Sequence, residues 1–192
     1  MGHPTPEHGD AGDRDARITA LALAAGRGDR AALAAFVQAT QRDVHRFLAH
    51  LASPREADDL AQETYLRALR TLPSFQGRSS GRTWLLSVAR NTAVDAVRTA
   101  MRRPRTVGVD AQDLDVRPVR GALDEAVVLR ELVGALEDDR RDAFVLTQLL
   151  DLSYAEAAQV CGCPVGTIRS RVARAREDLV AAMGHRQERR SG

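Results

Sequence analysis

Ser153-Tyr154-Ala155-Glu156-Ala157-Ala158-Gln159-Val160-Cys161-Gly162-Cys163-Pro164-Val165-Gly166-Thr167-Ile168-Arg169-Ser170-Arg171-Val172-Ala173-Arg174-Ala175-Arg176 encodes two helices and the turn between them. Ser153 and Glu156 have the S-x-x-E spacing of a capping box, in which each side chain accepts from the other residue's backbone N–H, so a helix starts at Tyr154. It must be short, because Gly162 and Pro164 follow within a few residues and a second helix resumes near Val165. Helices joined by so tight a turn cross steeply, as in a helix-turn-helix unit. In the second helix Val165, Ile168, Val172 and Leu179 share one face and are expected to pack inward, which leaves Thr167, Arg169, Ser170, Arg171, Arg174 and Arg176 on the others. From Val165 to Arg176 such a helix runs roughly 16 Å, enough to enter a major groove about 12 Å wide and reach several bases. The free N–H groups near Gly166 and Thr167 suit a phosphate oxygen. Arg169, Ser170, Ala173 and Arg174 are expected at base edges, with Arg171 and Arg176 on the DNA backbone. A solvated basic helix end is the bland alternative; the ordered series of capping box, glycine turn and basic amphipathic helix favours DNA.

Working outward, hydrophobic residues make up 44% of the 192-residue chain and aromatic ones only 4%, with Ala, Leu and Arg recurring throughout. This vocabulary belongs to helices, and the expected fold class is all-α, built as two small helical domains. There is no Lys, so all 28 basic residues are Arg, against 26 acids, for a net charge of +2. So small a total does not indicate nucleic acid, but the charge is segregated: Asp58, Asp59 and Glu63 crowd one segment, Arg98, Arg102, Arg103 and Arg105 another, and Arg169, Arg171, Arg174 and Arg176 a third. Exclusive use of Arg fits contact with phosphates and guanine edges, and equally a GC-rich genome.

Residues 1–17 lack an apolar period and are expected to form a tail. Residues 18–104 repeat apolar positions at helical spacing, broken by Ser53-Pro54 and by the Gly- and Ser-rich stretch from Pro73 to Gly81. Residues 105–122 lose that period and read as a linker, residues 123–184 are helical again, and residues 185–192 form a polar tail. A linker of this reach would let the two domains pack together and hide both DNA-binding surfaces. No apolar run approaches the ~18 residues of a membrane span and no signal-peptide core is present, so a cytoplasmic protein without membrane insertion is expected. Cys161 and Cys163 are too close for an ordinary disulfide and read as packing residues. The five histidines show no ligand spacing, and no nucleophile elbow or phosphate-binding glycine loop occurs, so no enzyme, metal or cofactor is expected.

A helical wheel over Ala57–Leu72 puts Leu60, Ala61, Thr64, Tyr65, Ala68, Leu69 and Leu72 on a core-facing side. The opposite side carries Asp59, Gln62, Glu63, Arg67 and Arg70 around a lone Leu66. An apolar anchor inside a charged ring is what protein docking requires.

Three segments together resemble the extracytoplasmic-function (ECF) sigma factors of RNA polymerase: Asp58-Asp59-Leu60-Ala61-Gln62-Glu63-Thr64-Tyr65-Leu66-Arg67, the run Phe75 to Asp95, and the helix-turn-helix from Leu152 to Arg176. The resemblance implies a region 2 bundle and a region 4 helix-turn-helix. It implies core polymerase, through its β′ clamp helices and β subunit, and promoter DNA as partners, and it admits an anti-sigma factor. By the same resemblance Asp58, Asp59, Gln62, Glu63, Leu66 and Arg67 would dock on the polymerase. Phe75, Gln76, Gly77, Arg78, Ser79, Ser80, Arg82, Trp84, Arg90, Asn91, Asp95 and Arg98 would serve the −10 element. Gly166, Thr167, Arg169, Ser170, Arg171, Ala173, Arg174 and Arg176 would serve the −35 element. With only Phe75 and Trp84 aromatic near the loop, a single-base pocket is expected rather than a row of stacking rings, and Trp84 is expected in the core rather than against a base. Asp138-Asp139 departs from the family pattern, where proline is frequent. The competing function is a dimeric helix-turn-helix regulator acting without polymerase, for which an acidic docking helix and a base-capture loop have no use.

Overall fold

The computed structural model describes residues 8–52, 54–102 and 122–191. Helices α1 (His8–Gly26), α2 (Arg30–Leu51), α3 (Pro54–Thr71) and α4 (Gly81–Arg102) form a first bundle, with a single 3-10 turn at Leu72–Ser74 after α3. Helices α5 (Ala122–Gly134), α6 (Asp138–Phe144), α7 (Tyr154–Cys161) and α8 (Val165–Ser191) form a second, and a π-helical turn, Val145–Leu149, extends α6. No strand occurs among the described residues, in agreement with the all-α expectation.

The first bundle is held by a stripe on α2, where Phe36, Val44, Phe47 and Leu48 recur at helical spacing and are fully buried against Ile18 and Ala22 of α1 and Leu85 and Leu86 of α4. Asp29 caps α2 by accepting from the N–H groups of Ala31 at 2.9 Å and Ala32 at 3.0 Å. The start of α4 lies directly on α1. A Cβ at Gly81 would stand 3.1 Å from the Ile18 carbonyl oxygen, and the Gly81 N–H donates to Thr19 Oγ1 at 2.9 Å. A side chain there would crowd the Ile18 carbonyl, so glycine lets the two backbones meet closely.

In the second bundle Val133, Leu146, Ile168 and Val172 are buried together. The capping box of α7 is complete in both directions, and α7 ends at Gly162 with φ of 63°, a left-handed stop that turns the chain into α8. The π turn ends the preceding helix one residue out of register: the Leu150 N–H donates to the Val145 carbonyl at 3.0 Å, and Asp151 follows with φ of 56°.

Both termini are more helical than their composition suggests. Helix α1 begins at His8 rather than after residue 17; Arg14 is tied to Asp43 at 3.0 Å and the buried Ile18 and Ala22 anchor the following turns. Helix α8 runs on to Ser191 through the expected tail, since nothing after Gly184 breaks a helix and Arg186 pairs with Glu131 at 3.0 Å. The linker expected over 105–122 lies outside the described residues except for Ala122, and so do Arg103 and Arg105.

The two bundles share one continuous core, with α4 packed on α1, α2 and α3 on one side and on α7 on the other. Among the described residues no helix is long and apolar enough to cross a membrane.

Candidate nucleic-acid and protein-docking surfaces

Helix α8 separates its side chains cleanly. Ile168, Val172, Ala175 and Leu179 are buried against α6 and α7, while Gly166, Arg169, Ser170, Ala173 and Arg174 are exposed. Val165, expected inside, is 39% exposed at the first residue of the helix, and the buried face begins at Ile168. Thr167 is half-buried. Arg171 and Arg176 are held by the protein itself: Arg171 pairs with Asp139 and reaches Cys163 Sγ at 3.6 Å, and Arg176 donates to Gln148 Oε1 at 2.7 Å. Arg169 and Arg174, by contrast, make no ion pair with another described residue.

On α3 the outward face carries Asp58, Asp59, Gln62 and Leu66, all exposed. Leu66 is 46% exposed, as its isolation among polar residues suggested. Leu69, expected on the core side, is 42% exposed and stands one turn beyond Leu66, so two leucines are exposed side by side on this helix. Arg67 bridges Glu63 at 2.8 Å and Asp95 of α4 at 2.7 Å; these two hydrogen bonds raise its pKa above the usual Arg value and brace the edge of the face.

Between α3 and α4 the loop forms a small cleft of about 330 Å³ lined by Ser74, Phe75, Gln76, Arg78, Ser79 and Trp84. Gly77 sits at φ of 68°, a conformation that favours glycine. Trp84 belongs both to the core and to the cleft wall: its ring lies 5.0 Å from Phe75 and 6.5 Å from Phe36. Ser80 caps α4 by accepting from the Thr83 N–H at 3.0 Å, which fixes the loop's exit. Asn91 and Arg98 are exposed farther along α4.

Arg82 and Arg90, expected at the −10 element, are placed differently. Arg82 is 8% exposed; its Nε donates to Asp43 at 2.6 Å and its Nη2 to the Leu150 carbonyl of the second bundle at 2.6 Å. That carbonyl is free because the π turn has ended its helix. Arg90 is half-buried, with Nε on Asp142 at 2.6 Å and Nη2 on Asp139 at 3.4 Å. Burial pushes the Asp142 carboxyl up and the Arg90 charge holds it back, while the carboxylates raise Arg90 in turn. Thr83 adds a long hydrogen bond to Glu156 at 3.5 Å. Asp139 thus touches one arginine from α4 and one from α8. Cys161, in the same seam, has its thiol pushed up to about 12 by burial and serves as packing.

The chain matches the model of Sigma-70 region 2 over residues 36–103 and that of Sigma-70, region 4 over residues 126–179. It belongs to the sigma-70 family. Within it, the ECF RNA polymerase sigma factor SigC of Mycobacterium tuberculosis is 52% identical over 170 residues, covering 87% of this chain and 91% of that protein. The ECF RNA polymerase sigma-E factor of Escherichia coli is 36% identical over 166 residues, 80% of this chain and 87% of its own. The sigma factor RpoE of Bartonella quintana, solved in complex with the anti-sigma factor NepR, superposes with a TM-score of 0.68 at 30% identity, covering 77% of this chain and 94% of that one.

The chain is accordingly an ECF sigma factor that directs promoter-specific transcription by core RNA polymerase, and the independent dimeric regulator is not favoured. In this sigma factor the residues that sequence reasoning missed are acids. Asp43 and Asp142 hold Arg82 and Arg90, which the resemblance assigned to the −10 element, and Asp139 holds Arg171, which the reading of α8 assigned to the DNA backbone. One signal was available: Asp43 interrupts the buried stripe of α2 between Thr40 and Val44, a core position where a carboxylate demands a cation.

Proposed function

We propose that this sigma factor grips core polymerase with the outer face of α3, through Leu66 and Leu69 inside the ring of Asp58, Asp59, Gln62, Glu63 and Arg67. Region 2, residues 18–104, captures one unstacked −10 base in the cleft between Phe75, Gln76, Arg78, Ser79 and Trp84, with Gly77 and Ser80 letting the backbone approach and Asn91 and Arg98 following along α4. Region 4, residues 123–184, reads the −35 element with Arg169, Ser170, Ala173 and Arg174, while the Gly166 N–H and the Thr167 hydroxyl receive a phosphate at the helix start; the Thr167 N–H, expected free, is given to the Pro164 carbonyl at 2.9 Å. The single observation that carries the reading is the division on α8, where the arginines expected at base edges are exposed and those expected on the DNA backbone are already held by Asp139 and Gln148. The arrangement with Arg82, Arg90 and Arg171 occupied is the form of the protein without polymerase; Asp95, paired with Arg67, braces the docking face. The protein acts by binding and melting rather than as an enzyme, works in the cytoplasm, and is a target for an anti-sigma factor of the kind bound by its structural relative.

Run-off transcription with purified core enzyme tests this. Start sites should map only when both components are present, and a gel shift on the same promoter should need core polymerase. Strong specific binding by the free chain would instead support the independent regulator.

A further inference from the structure

A second cleft, of about 840 Å³, opens where α2 and α3 of region 2 face α5 of region 4. Arg42 and Arg46 enter it from α2 and Arg130 from α5 on the opposite wall. All three are exposed and make no ion pair or hydrogen bond with another described residue. Elsewhere along the region 2–region 4 contact the arginines are neutralised: Arg82 by Asp43, Arg90 by Asp142, Arg171 by Asp139. No carboxylate lines this cleft among the described residues.

His50 continues the stripe, one turn beyond Arg46, and its Nδ1 is buried without a hydrogen-bond partner. Burial and then the charges of Arg130, Arg46 and Arg141 hold its imidazolium below the ordinary His range, which reports an uncompensated positive field. Arg141, facing it from α6, also keeps its Nε buried and unpartnered. Like charges at i,i+4 on a helix repel, and buried polar atoms without partners are rare in folded proteins. The rest of the wall mixes apolar and aromatic groups, Leu129 and Tyr65 among them, with Gln41, Gln62 and His45, the last paired with Asp58 at 3.0 Å, and the volume falls in the range of small-molecule sites.

The geometry points to this cleft as a binding site for a phosphorylated small molecule of nucleotide size, whose phosphates are held by Arg42, Arg46 and Arg130 and whose ring lies along Tyr65 and Leu129. Because its cations come from both regions, the ligand binds the closed arrangement and stabilises it. Planar guanidinium groups suit phosphate oxygens bidentately. Gln62 borders both this cleft and the proposed docking face, so the site is tested without polymerase or promoter.

Isothermal titration of the full chain with magnesium-free ATP, inorganic triphosphate and sulfate tests it without polymerase or promoter. ATP should bind saturably, inorganic triphosphate more weakly for lack of the apolar wall, and sulfate least. Arg130→Gln and Arg46→Gln, both at exposed positions, should each weaken ATP by about tenfold, whereas Arg174→Gln on α8 should leave it unchanged. No saturable binding at millimolar ATP, or equal loss in the Arg174 variant, overturns the site. Equal competition by nonspecific duplex DNA overturns it too, and would reassign the cleft to the DNA backbone. Failure of this titration would leave run-off transcription intact, so the two readings fail separately.

Discussion

Two groups of arginines divide this molecule. Arg169 and Arg174 stand exposed on α8, while Arg82, Arg90 and Arg171 lie in the seam between regions 2 and 4 with carboxylates against them. The residue type is the same and the role opposite, and the neighbours decide it. A guanidinium aligned with a buried carboxylate is a tie, because separating the pair leaves a charge in a poorly solvated place. One that faces only water is free to exchange that water for a phosphate or a base edge.

The sharpest way to break the comparison is to remove a seam acid. Asp43→Ala strips Arg82 of its carboxylate while Arg82 stays buried, and should lower stability by about 3–5 kcal/mol. Urea denaturation followed by circular dichroism reads this, and Arg82→Leu in the same chain should recover part of the loss. An exposed working surface should behave in the opposite manner. Leu66→Asp should leave the denaturation midpoint almost unmoved yet weaken core-polymerase affinity by about 2 kcal/mol, the scale of a central interface anchor; unchanged affinity would remove the docking role.

Within α8 the contrast becomes finer. Arg174→Ala should reduce discrimination among upstream promoter variants by about 1–3 kcal/mol if the side chain reads a base. Arg171→Ala, which only releases Asp139, should lower stability and leave discrimination among those variants unchanged. Equal loss on every sequence for Arg174→Ala would move that residue into the phosphate-binding class.

The smallest expected effect is on pH. His50 binds its proton less readily in the folded chain than in the unfolded one, because of burial and the cations around it. Stability should therefore decline as pH falls from the ordinary His range, near the reference value of 6.5, towards the depressed folded value, and level off below it. His50→Gln should flatten this part of the curve in a thermal-melt series.

What could be read from sequence was local. The capping box at Ser153, the helix stop at Gly162 and the lone Leu66 each depend on residues within a turn or two, and each is found where the spacing indicated. Leu69 and Val165 were misread because a helical wheel gives direction but not which neighbour covers a side chain. The pairing of Arg82 and Arg90, which the resemblance assigns to the −10 element, was not legible because their partners Asp43, Asp139 and Asp142 lie far away along the chain. The loop cleft was half legible: glycine, serine and arginine indicated an open loop, yet only the fold shows Trp84 serving both core and cleft. The π turn has no signature in Thr147-Gln148-Leu149-Leu150 that would separate it from an ordinary helix end.

That turn makes the acceptor for Arg82 a main-chain oxygen. No substitution at position 150 that keeps the backbone path can delete it, so point changes there leave the latch in place. Inheritance can loosen it only from elsewhere: by altering Arg82 or the Asp43 that orients it, or by adding or losing a residue between Val145 and Asp151 so that the oxygen swings away.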